Sequence, residues 1–132
     1  MKGEIELPKL LASLKPYLQA GTYVFVSLKE TPSPMLLEAS ICIFREAEGT
    51  TLILEKADAD QHQLSYSYEA AWITLEVHSA LEAVGLTAAF ATALTQHRIS
   101  CNVVAGYYHD HIFVAKTDAE QALAVLVELS QQ

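Results

Sequence analysis

Apolar positions along this chain recur in two rhythms, one of period two and one of three to four residues. Leu7, Leu10, Leu11, Leu14 and Leu18 fall at helical spacing and predict an amphipathic helix over 7–18, with Gly21 as its stop. Residues 22–28 are β-branched and aromatic and predict a strand. Thr31-Pro32-Ser33-Pro34 predicts a loop, because a proline cannot donate to a ladder and restricts the residue before it. Segments 37–45 and 50–55 read as strands joined through 46–49, a hairpin with Gly49 at its turn, and a short helix is expected over 58–62. Residues 69–78 alternate, with Trp72, Thr74, Glu76 and His78 on one face and Ala71, Ile73, Leu75 and Val77 on the other. Helical spacing returns over 85–97, where Leu86, Phe90, Ala93, Leu94 and His97 share a face. A second hairpin is expected from 99–106 and 111–115. A last helix over 118–129 points Ala119, Ala122, Leu123, Leu126 and Leu129 inward, with Thr117 and Glu120 at capping-box spacing before it.

Two stretches of this pattern are nearly the same. Leu52-Ile53-Leu54-Glu55-Lys56-Ala57-Asp58-Ala59-Asp60-Gln61 is echoed sixty positions later by Ile112-Phe113-Val114-Ala115-Lys116-Thr117-Asp118-Ala119-Glu120-Gln121. In both, an apolar strand runs through Lys-x-Asp-Ala-acid-Gln into a helix, and Cys42 and Cys101 stand at nearly equal distances upstream. Such self-similarity marks a duplicated unit. The second copy reads β-α-β-β-α, a layout of ferredoxin-like α+β sandwiches. The expected fold is therefore a tandem of two such units with antiparallel sheets and helices on one face. The boundary is expected near 68, giving an N-terminal half over 1–68 with its leading helix and a C-terminal half over 69–132.

Composition narrows the function. With 132 residues and 52% hydrophobic content the chain can fill a core, and 18% charged residues is too few for a disordered segment. A net charge of −8 argues against nucleic-acid or anionic-membrane partners, which need a basic surface. No apolar run approaches the roughly 20 residues of a membrane span. The opening residues carry acids and no apolar core, so no secretory signal is expected. The two cysteines then read as reduced, buried thiols of a cytoplasmic protein rather than a disulfide.

The stretch Trp72-Ile73-Thr74-Leu75-Glu76-Val77-His78-Ser79-Ala80-Leu81-Glu82-Ala83-Val84-Gly85-Leu86 resembles the ACT domain family, and within it a bacterial group of stand-alone proteins with two ACT-like units and a poorly defined role. Gly85-Leu86 fills the glycine signature before the helix, and Ile99-Ser100-Cys101-Asn102-Val103-Val104 fills the next strand. Asp110-His111-Ile112-Phe113-Val114 and Asp118-Ala119-Glu120-Gln121-Ala122-Leu123 complete the pattern. The resemblance covers about residues 70–130. It implies a non-catalytic regulatory module that needs no cofactor. Such a module binds an amino acid or similar small molecule where ACT units meet, between domains or in a dimer, and the chain is expected to form a homo-oligomer.

The ligand-binding residues expected are His78, Ser79, Glu82, Gly85 and Leu86 at the strand-to-helix turn, with Asn102 on the neighbouring strand. A helix start offers unpaired N–H groups to a carboxylate, while His78 or Glu82 can meet an amino group. The same residues have a plainer reading. Ser79 and Glu82 also have capping-box spacing, Gly85 serves a tight turn, and Asn102 satisfies backbone. One alternative is an interaction or assembly module without a small ligand. The other is a metal-binding enzyme using His78, His109 and His111, against which His109-Asp110-His111 reads more simply as the turn of the second hairpin. Cys101 beside His109 lacks the turn context of a nucleophile. Phosphate-loop motifs are missing, with five dispersed glycines.

Overall fold

The structure is a computed structural model, and it describes residues 6–77 and 84–131. Its helices are α1 (Leu7–Ser13), α2 (Pro34–Ala39), α3 (Lys56–Gln61), α4 (Leu86–Gln96) and α5 (Ala119–Ser130). Its strands are β1 (Lys15–Leu18), β2 (Tyr23–Leu28), β3 (Cys42–Glu46), β4 (Gly49–Glu55), β5 (Glu69–Glu76), β6 (Asn102–Ala105) and β7 (Asp110–Ala115). Residues 21–70 form one compact unit; the N-terminal stretch up to residue 20 and the chain from residue 71 onward form another.

In the unit of residues 21–70 the strand order is β3-β4-β2, with Glu69 and Ala70 of β5 antiparallel to β2 on its free side. Period two decides which side chains go inward. Val24 stands opposite Leu54 and Val26 opposite Leu52, and these four pack with Leu36 of α2 and Ala59 of α3. Helix α2 occupies residues where the pattern predicted loop and then strand. Ser33 accepts a hydrogen bond from the Leu36 N–H at 3.2 Å and Pro34 takes the first helical turn, where its missing N–H does no harm.

The other unit repeats the plan. Its order is β1-β5-β7-β6, and β1 is antiparallel to β5 from Lys15 opposite Glu76 to Leu18 opposite Ile73. Both units thus have the same strand order, counted along the plan β-α-β-β-α-β, as the ferredoxin-like fold requires. The repeat is visible in detail: Leu52–Leu54 and Ile112–Val114 are the buried third strands, and Ala59 and Ala119 are buried at the helices that follow. Ile73 and Leu75 of β5, Ile112 and Val114 of β7, Leu86, Phe90 and Leu94 of α4, and Ala122 and Leu126 of α5 form the core with Leu10 and Leu14.

The predicted helix over 7–18 is corrected to a seven-residue helix followed by a strand. Pro16 is the cause: it drives Lys15 out of the helical region, and on an edge strand its missing N–H leaves no ladder bond unmade. The predicted Thr117–Glu120 capping box is also corrected. Thr117 lies within a 3-10 turn (Lys116–Asp118), and no side chain caps α5 at Asp118. Helix α4 stops as the pattern predicted. Arg98, at φ 60°, donates its N–H to Thr95 O at 2.9 Å and Ile99 donates to Leu94 O at 3.0 Å. This is a Schellman ending with Arg in the position glycine usually takes.

Candidate functional site

Helix α4 begins at Gly85, whose φ of 96° and ψ of −15° lie in the left-handed region that a side chain strains. A Cβ at Gly85 would also come within 3.4 Å of Leu7 Cδ2, so the first turn of α1 packs over this bend. Among the described residues, which exclude 78–83, no side chain caps the α4 start. Helix geometry leaves its first N–H groups without intrahelical acceptors, at the positive end of the helix dipole. The counterpart helix α2 differs, since Ser33 and Pro34 already close its start.

Leu86 turns into the core, so only its backbone faces a ligand at the bend. Asn102 opens β6 opposite Phe113, and its Nδ2 donates to the Phe113 carbonyl at 3.3 Å. Gly85 and Leu86 thus sit together, whereas Asn102 is tied to its own hairpin. His78, Ser79 and Glu82 lie outside the described residues.

A second cluster in the same unit joins residues that the pattern did not bring together. Thr74 of β5 is the one buried polar side chain among the described residues, at 5% exposure. It accepts from Gln19 Nε2 at 3.0 Å and lies 3.1 Å from His111 Nδ1, while Trp72 Nε1 donates to that same Nδ1 at 3.1 Å. The indole ring also leans on the His111 ring, with centroids 5.7 Å apart, and stacks on Phe113 at 6.2 Å. Alternation along 69–78 placed Trp72 and Thr74 on one face. Their pairing with His111 depends on β7 lying beside β5, which no local pattern reveals.

The expectation that His109-Asp110-His111 forms the hairpin turn is corrected. The turn spans 106–109, closed by Gly106 N–H to the His109 carbonyl at 2.9 Å, and β7 begins at Asp110. An indole nitrogen only donates, so His111 Nδ1 must accept and the ring proton sits on Nε2. Ligating a metal through Nε2 would move that proton onto Nδ1, against the Trp72 N–H. Among the described residues, which exclude His78, no three His, Cys, Asp or Glu side chains gather as a metal site.

Both cysteines are free and partly buried, Cys101 packing against the core. Burial pushes the Cys101 thiol up to about 11. At about pH 8 its thiolate fraction is then roughly a hundredfold below that of an ordinary thiol. Iodoacetamide labelling followed by peptide mass mapping should show Cys101 lagging free cysteine by about that factor. Labelling at the free-cysteine rate would mean the strand start is open.

Two family models described as ACT domain match in tandem, one over residues 2–71 and one over 67–128. The chain belongs to the ACT domain family, as two successive units of it. A Vibrio cholerae protein of unknown function, described as a possible transport protein, is 54% identical, with a TM-score of 0.86 over 95% of this chain and 96% of that one. An Agrobacterium tumefaciens protein has the same fold at 17% identity, with a TM-score of 0.71 over 89% of both chains. The ligand-free regulatory subunit of aspartate kinase from Thermus thermophilus shares it at 9% identity, with a TM-score of 0.63 over 86% of this chain and 95% of that one. No curated protein matches significantly. Among the described residues no helix is long and apolar enough to cross a membrane.

Proposed function

We propose that this chain is a non-catalytic regulatory module that binds an amino acid or a similar small carboxylate. The left-handed bend at Gly85, which opens helix α4, is the observation that carries this reading. Carboxylate oxygens suit backbone N–H groups at a helix N-terminus, and the left-handed glycine lets the chain bend close to a ligand. His78, Ser79 and Glu82 are the further residues of the proposed site, with Glu82 or His78 meeting the amino group; Asn102, on β6 with β7 between it and β5, stands apart from the bend. The pocket forms between copies of the chain in a homo-oligomer of a cytoplasmic protein. Membership of the ACT family, and a fold shared with an aspartate kinase regulatory subunit, support the reading.

Native mass spectrometry of the gently purified chain, followed by thermal-shift screening of amino acids, tests it. A ligand at a hundred times its Kd stabilises the folded chain by about 2.7 kcal/mol. For a chain of this length that raises Tm by roughly 10 °C. Gly85→Val should abolish the response to the same ligand. A flat screen, with no small molecule carried through purification, would refute ligand binding.

A second reading is an assembly module without a ligand. It is favoured by strand β3, the outer strand of its unit, which exposes Ile43 and Phe44, the latter at 65%. A stable oligomer with no bound small molecule and no thermal response would select it.

A further inference from the structure

Two side chains of one strand, with another segment behind them, converge on one imidazole nitrogen of the next strand. Trp72 and Thr74 of β5 both reach His111 Nδ1 at 3.1 Å, and Gln19, just past β1, donates to Thr74 from behind at 3.0 Å. The far side of the ring is closed by backbone: a Cβ at Gly106 would lie 3.3 Å from His111 Nε2 and 2.9 Å from the His109 carbonyl oxygen. Only glycine lets the turn come this near the ring. Turning the ring over would carry the accepting nitrogen away from Trp72, so the arrangement holds with one tautomer only.

We propose that His111 is a proton-operated latch: when neutral it ties the β6–β7 hairpin to the Trp72 N–H of β5, and when protonated at Nδ1 it sets a second donor against that N–H and leaves Thr74 Oγ1 as its acceptor, so the tie to Trp72 is released. Two N–H groups facing each other at hydrogen-bond distance repel, and the positive charge would lie among Trp72, Phe113 and half-buried backbone. Relief requires the hairpin or the indole to move.

The neighbours fix the pH at which this happens. Burial pushes His111 below the ordinary imidazole range; His109 adds to the shift and Asp110 opposes it. Asp110 is itself raised by burial, an effect His111 partly offsets. The other titratable groups on the packed elements are Glu69 and Glu76 at the ends of β5, Lys15 and Tyr17 on β1, and Tyr107 and Tyr108 in the turn, while β6 carries none. In the unfolded chain His111 takes its proton at about 6.5. The folded ring takes it only at lower pH, so the latch's contribution is complete above about 6.5 and declines as pH falls below it.

Trp72 is the only tryptophan, so its emission reads the latch directly. Between about pH 7.5 and about 4.5, emission should change with a midpoint below the free-histidine value of about 6.5. The transition should vanish in His111→Gln, whose amide oxygen still accepts from the indole, and His109→Gln should move the midpoint upward. Nitrogen-15 NMR of the wild-type chain at neutral pH should show the His111 ring protonated at Nε2. Emission that stays flat, a transition that survives His111→Gln, a midpoint at or above about 6.5, or an Nδ1–H tautomer would each overturn the latch. Should His111→Gln fail to fold, the wild-type nitrogen-15 spectrum decides alone.

Discussion

Truncating Phe90 to alanine is expected to remove about 3–5 kcal/mol of stability, the largest single loss among side-chain truncations in this chain. Phe90 is fully buried on the inner face of α4, between Leu86 and Leu94, in the cluster that includes Ile73, Leu75, Ile112 and Leu126. A cavity the size of a phenyl ring would stay open there, because three elements wall it and none can close in without losing its own contacts. Followed by Trp72 emission, Tm should fall by roughly 10–20 °C. A loss under about 1 kcal/mol, the level of ordinary surface changes, would show that α4 does not seat this ring in the core.

Leu10→Ala should come next, at about 2–5 kcal/mol. Leu10 is fully buried in the same cluster although sixty positions or more separate it from Ile73 and everything else it packs with there apart from Leu14. The consequence should therefore extend beyond its own short helix. Amide hydrogen exchange in the variant should quicken across α4 and α5 as well as in residues 7–18, because the segment α1–β1 both covers those helices and supplies the fourth strand beside β5. Exchange that rises only within the first twenty residues would show that the N-terminal segment is an appendage.

These two residues mark how much the sequence disclosed. Phe90 was legible: Leu86, Phe90 and Leu94 fall on one helical stripe, and a stripe of that width needs a sheet to bury it. The third strand of each unit was legible for a related reason, since Leu52–Leu54 and Ile112–Val114 stand before the same Lys-x-Asp-Ala turn and have the same burial. Leu10 was legible as a buried helical residue, but not where it would be buried. Local spacing ran the helix through to Leu18, whereas Pro16 breaks it and sends the chain into β1. Helix α2 starts at a Ser33-Pro34 cap, a signal that the reading of 31–34 as a proline loop does not contain.

The candidate site divides along the same line. The bend at Gly85 was legible because it has a local cause, a left-handed residue at the mouth of a helix. Gln19, Trp72, Thr74 and His111 were not joined, since each reads as an ordinary strand or loop residue until the strands are ordered.

What the sequence determined by itself is what short-range geometry controls: the periods of helix and strand, the glycine bend and the doubled strand-to-helix unit. Tertiary structure alone decided which distant segment closes each sheet and which side chains meet across it. Strand pairing is chosen by the burial of whole faces rather than by neighbours in sequence, so β1 beside β5, and Trp72 against His111, had no local cause to read.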